Sequence, residues 1–185
     1  MARLHSGLRL NTAAWEGVTL TPSNNRMRKI LDEIGPAGLG RSVTIHEAGH
    51  AVVGLATGHR ITGMQLTGNG LNHGQTQFAG ANAVPLTEHV AMTTAGVQAC
   101  TRWLRGIGAS RHVMDYATDQ AAADMDFIKR TVRAEGANPS AVLRDAQKIA
   151  DRFLDRYWSQ VEAVAYELDL RNSLGESAIR SLARI

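Results

Sequence analysis

Residues 41–58 read RSVTIHEAGHAVVGLATG, and this stretch decides how the rest of the chain is arranged. Val43, Ile45, Ala48, Val52, Val53 and Ala56 recur at helical spacing and supply an apolar surface for a core. Gly58 is a natural stop. On such a helix, residues four apart share one face, one turn above the other. His46 and His50 therefore offer two imidazoles to a single point, and Glu47 projects beside it. Ala48 and Gly49, between the histidines, leave room for another backbone to come close. A helix loses about 1 kcal/mol by carrying glycine in place of alanine, so a close neighbour is the expected reason for Gly49.

The pattern His-Glu-x-x-His on an amphipathic helix points to zinc. A zinc ion with three protein ligands lowers the pKa of a water in its fourth position toward ~7. Glu47 is then placed to accept a proton from that water and deliver it to a leaving amine. The expected roles are metal ligand for His46 and His50 and general base for Glu47, which is not itself a ligand.

Upstream, residues 1–21 mix Gly, Thr and Asn without a period and read as an arm. Thr21-Pro22-Ser23 resembles a helix start, with Met27, Ile30, Leu31 and Ile34 as its stripe. GPAGLG, residues 35–40, ends that helix and serves as a linker. The chain thus divides into an arm with one short helix, residues 1–40, and a main domain, residues 41–185. Downstream, Ile61–Thr67 and Gly74–Gly80 flank GNGLNH and predict a hairpin. Helices are expected from Pro85 to Arg105, from an N-cap at Thr118 to Ala134, from Val142 to Leu170, and over Glu176–Arg184. The sum is an α+β, mostly helical fold: a zincin-like zinc helix, a small β-hairpin and a C-terminal helical bundle.

The octet HEAGHAVV, His46–Val53, resembles the signature of the FtsH family of zinc metalloproteases, in the peptidase domain. GMQLTGNG (63–70) followed by GQTQF (74–78) is similar to that family's strand–turn–strand. TTAGVQAC (93–100) resembles a degenerate form of its Gly-Gly-Arg-x-Ala-Glu-Glu helix. ATDQAAADMDFIKRTV (117–132) resembles the helix whose aspartate is the third zinc ligand. The resemblance covers about residues 41–185. It implies Asp119 as the third ligand, the first acid after the expected N-cap and favourable at a helix N-terminus; Asp124 and Asp115 stay open. Two departures matter. Cys100 and Thr101 stand where the family has two glutamates, so a carboxylate that would orient a zinc histidine is expected to be missing, a loss of about 10–100-fold in affinity or activity. No P-loop pattern occurs, so no ATPase module is expected.

The resemblance implies a zinc-dependent endopeptidase that works without its own ATPase on flexible or unfolded polypeptides, or on substrates delivered by a partner. A catalytically idle zinc-binding module is the alternative that the two departures motivate. The second hairpin strand could accept an extended peptide by strand addition. His59, His73, His89 and His112 read as surface histidines, with His73 in the hairpin turn and His112 near Asp119 the two placed for substrate contact or a fourth ligand; Trp103, Tyr157 and Trp158 read as packing residues. With 44% hydrophobic and 20% charged residues the chain can form a core. Its net charge of +3 is spread along the sequence, which gives no nucleic-acid footprint. A single cysteine rules out an internal disulfide. No run approaches the ~18 apolar residues of a membrane span. A cytoplasmic protein is expected, and an oligomer is compatible with the family.

Overall fold

The computed structural model describes residues 25–67, 73–79 and 84–185. Its longest element, α1 (Asn25–Ala56), carries the HEAGH segment in its second half. Gly35 interrupts the helix at φ 67° and ψ 173°, and Pro36 follows, where its fixed φ restarts a helix without a lost hydrogen bond. The expected linker is thus a one-residue kink, and the helix runs straight through Gly38 and Gly40. Residues 25–34 do not stand apart. Ile30 and Leu39 are buried with Cys100, Leu104, Val113 and Ala117, and Met27, Leu31 and Ile34 pack on the same cluster. The apolar stripe read from the sequence needed a partner and found one in the main body. Residues 1–24, including the arm and the Thr21-Pro22-Ser23 start, lie outside the described residues.

Two strands follow, β1 (Arg60–Thr67) and β2 (His73–Ala79), paired antiparallel with Leu66 opposite Gly74 and Met64 opposite Thr76. The expected hairpin is present, although its turn, residues 68–72, lies outside the described residues. The order β2-β1-β3 includes a strand the sequence reading missed, β3 (Ser173–Gly175), and among the described residues leaves β2 at an edge. Three residues are too few to show alternation.

Next comes α2 (Leu86–Gly106), which crosses α1 where both carry glycine. A Cβ on Gly49 would lie 2.7 Å from the Ala95 carbonyl oxygen and from Ala99 Cβ. Only hydrogen fits, and this is the close backbone approach that the small residues between the histidines foretold. The helix expected from Thr118 is displaced. The chain forms α3 (Arg111–Gln120) and α4 (Ala122–Ala134), separated at Ala121. Thr118 is not a cap; its hydroxyl donates to the Met114 carbonyl one turn back. Ser110 precedes the true start, and its N–H and hydroxyl both donate to the Glu33 carboxylate of α1.

The long helix expected over 142–170 is likewise two, α5 (Pro139–Arg156) and α6 (Trp158–Arg171), broken at Tyr157. Asn138 caps α5, its side chain accepting from the N–H groups of Ser140 and Ala141. The last helix, α7 (Glu176–Ala183), closes the chain. The central core joins Ile45, Ala48, Val52 and Val53 of α1 to Ala95 of α2, Leu154 of α5, Leu168 of α6 and Ile179 of α7. The protein is therefore α+β and mostly helical, with the His46–His50 segment threaded through its middle.

Candidate metal centre

Helical phase brings the two histidines together as expected. His46 Nε2 and His50 Nε2 lie 2.9 Å apart. The third donor is Asp124, whose Oδ2 is 3.0 Å from His46 Nε2 and 3.3 Å from His50 Nε2. A tetrahedral ion with bonds of about 2.0–2.1 Å holds its ligand atoms roughly 3.3 Å apart; one donor pair stands at that separation, and the other two would open by a few tenths of an ångström to admit the ion. Two imidazoles and one carboxylate are also a donor set that zinc accepts. The residues fit the ion.

Asp119, the expected third ligand, is corrected by this geometry. It sits near the C-terminal end of α3, half exposed, and pairs with Arg26 of α1. Asp115, also on α3, is exposed and faces Arg111. The helix starts at Ala122, and its first-turn acid is Asp124. Three consecutive alanines, Ala121–Ala123, begin at the break, and nothing in their chemistry announces it.

The support behind the donors comes from α2. The Met92 carbonyl accepts from His50 Nδ1 at 2.9 Å, which fixes the tautomer that leaves Nε2 free to ligate. A main-chain oxygen thus orients this ring without a carboxylate. Gly96 makes the space. A Cβ there would lie 2.5 Å from Cε1 and Nε2 of His50 and 2.7 Å from His46 Nε2. Cys100 is a buried thiol, and burial pushes its pKa up to about 12. Burial works against a charge on His50, but the Asp124 hydrogen bond and charge, with Glu47, outweigh it and push this imidazole up to about 9. Burial likewise opposes ionisation of Asp124, and the two imidazoles outweigh it, holding the carboxyl well below its usual range. Without a cation the cluster is already an ion pair, in which a divalent ion would take the place of the proton.

Glu47 does not join the donors. It is 6% exposed, and its Oε2 accepts from the Thr76 hydroxyl of β2 at 2.7 Å. Gly74, two residues earlier on the same strand face, passes so close that its Cβ would lie 2.4 Å from Glu47 Cγ. Two cavities flank the cluster, of about 180 and 260 Å³, and Glu47, Gly74, Ala123 and Asp124 line both. The smaller extends past His46 to Ser42, His73 and Tyr116; the larger extends past His50 to Phe78, Met92 and Phe127. Edge strand β2 borders both.

His73 does line the first cavity, and His112 is exposed on α3. His59 and His89 depart from the surface reading, being 2% and 6% exposed. The Thr57 hydroxyl is held against the Val53 carbonyl, so His59 Nδ1 donates to that hydroxyl, and His59 Nε2 accepts from His89 Nδ1 at 2.9 Å. Burial, then the charge a protonated His89 would bring, lowers His59 to about 4; burial also lowers His89. The sequence reading missed Met92, Gly96, Gly74 and Thr76. Only the glycines left a signal: one in a helix interior and one in a strand, each unfavourable locally. No family model matches the chain, and no curated protein matches it.

Proposed function

We propose that the protein is a zinc-dependent endopeptidase of FtsH-like type that cuts flexible or unfolded polypeptides. The observation that carries this reading is the convergence of His46, His50 and Asp124 on one point, beside a carboxylate that is held elsewhere by its own partner. Were Glu47 a fourth ligand, its charge would be spent on the ion. Held by Thr76 instead, it borders both cavities as a base. A bound zinc ion supplies an acidified water and a Lewis acid for the scissile carbonyl.

The chain's own residues do the rest. Strand β2 has a partner on one side only among the described residues, so its outer edge offers main-chain groups to an extended peptide. Backbone pairing of this kind is tolerant of sequence, which suits unfolded substrates. The cavities on either side of the cluster give side chains room on both sides of the bond to be cut. Glu47 takes the proton of the attacking water and returns it to the amine that departs. His50, held by the Met92 carbonyl, keeps its Nε2 lone pair aimed at the cluster.

Chelator-stripped protein reloaded with zinc should bind about one ion per chain, matching the single donor cluster among the described residues, and should cut a casein-like unfolded substrate. Glu47→Gln should retain the metal while cleavage falls by ~10²–10⁴, the usual worth of a positioned base. Undiminished cleavage by that variant would end the proposal. Stoichiometric zinc with no cleavage of a broad peptide library would favour the idle zinc-binding module.

A further inference from the structure

We propose that Thr76 is a positioning residue for Glu47, clamping one carboxylate oxygen from the edge strand while Gly74 leaves the space that the glutamate fills. The geometry stands independently, and its catalytic consequence rests on the peptidase reading above. Positions 74 and 76 share one face of β2, because side chains alternate along a strand. That face lies over α1, and there the two residues have complementary duties. At 74 any side chain would displace the glutamate, since its Cβ would come within 2.4 Å of Cγ, 2.8 Å of Oε1 and 2.9 Å of Cδ. At 76 a hydroxyl meets Oε2 at 2.7 Å and also lies 3.1 Å from the Glu47 carbonyl. A hydroxyl has one proton, and the nearer, charged oxygen takes it.

Strand packing alone does not require this hydroxyl. Valine has the same branched shape, the same preference for strands and no proton to give. The hydroxyl's particular contribution is orientation. Glu47 has three side-chain torsions, and among the described residues Thr76 supplies its only side-chain hydrogen bond. With Oε2 held, Oε1 has no protein partner among the described residues and is available to the reacting water. Misplacing such a group by about 1 Å costs on the order of 100-fold, and loss of a partner behind a metal site costs about 10–100-fold.

The test compares Thr76→Val with Thr76→Ser in full-length, zinc-loaded protein, using a casein-derived peptide, a chelator competition for zinc, and carbon-13 NMR of glutamate carboxyl groups. The Glu47 resonance is identified by its disappearance in Glu47→Gln. In Thr76→Val we expect kcat to fall about 10–100-fold, with KM and zinc affinity unchanged and the Glu47 resonance moved. Thr76→Ser should restore both the rate and the resonance. A purely structural residue would lower zinc affinity or melting temperature without rescue by serine. An unmoved resonance in Thr76→Val overturns the clamp, as does cleavage by that variant at the wild-type rate. If wild-type protein cuts nothing and the resonance still moves, the clamp stands and the peptidase reading falls.

Discussion

Adding a single methyl group at Gly96 should weaken zinc binding in a helix where alanine would ordinarily help. Gly96 lies well inside α2, and an interior Gly→Ala change stabilises a helix by about 1 kcal/mol. Here the new carbon would sit 2.5 Å from two atoms of the His50 ring and 2.7 Å from His46 Nε2. Carbon atoms pack at about 3.5–4.0 Å, so the rings must retreat by roughly 1 Å. Metal–ligand distances tolerate only about 0.2 Å, and the nitrogen that must move is the ligating one. We expect zinc affinity to fall by at least about 10–100-fold, as for disturbed ligand support. Overpacking costs about 1–3 kcal/mol, so against the helix gain the chelated protein should lose only ~0–2 kcal/mol. Gly106→Ala is the control on the same helix, because nothing lies within 4 Å of its Cβ. Competition against a chromophoric chelator measures affinity, and urea unfolding in excess chelator measures stability. Zinc binding by Gly96→Ala equal to that of Gly106→Ala would refute the site as described.

The remaining expectations address other parts of the molecule. Asp124→Asn should abolish tight zinc binding, whereas Asp119→Asn should leave it intact and change stability by less than ~1 kcal/mol, since only an exposed ion pair is lost; calorimetric titration of both variants decides the assignment. Ile30→Ala should destabilise by ~2–5 kcal/mol, because the side chain is wholly buried against α2 and α3; denaturation with no loss of midpoint would detach residues 25–34 from the main body. His59 stays neutral in the folded protein down to about 4, while an unfolded histidine takes a proton near 6.5. Stability should therefore fall as pH drops from ~6.5 to ~4, by at most about 3 kcal/mol from this residue. His59→Gln should show a shallower decline over that window, and identical profiles would refute the buried neutral pair.

Periodicity carried much of the fold into view. The helix around His46 and His50 was legible because its apolar positions and its donors follow one angular rule. The hairpin was legible because its strands are bounded by glycine and asparagine. Breaks inside apparently continuous helices were not. Ala121 and Tyr157 are both compatible with helix, and tertiary packing turns the chain there without any proline or glycine. This moved the candidate third donor by five residues, from Asp119 to Asp124. The same limit hid Met92, since a main-chain carbonyl has no letter in the sequence. It also hid His59 and His89, whose burial depends on Phe78 and Phe127 arriving from two other elements.

The donors of the cluster come from two places far apart in the chain, His50 on α1 and Asp124 on α4, separated by 124 − 50 = 74 positions. A cation gripping both is a detachable crosslink, tying a helix threaded through the core to one whose buried residues number only two, Ile128 and Val132. Closing a loop of that length restricts the unfolded chain by several kcal/mol in the covalent analogue, about 4.7 for 100 residues. Metal loading should therefore be felt as mechanical stiffening of one segment. Amide exchange along 122–134 should slow when the ion enters, and the helices with more residues in the central core should keep the protection they already had.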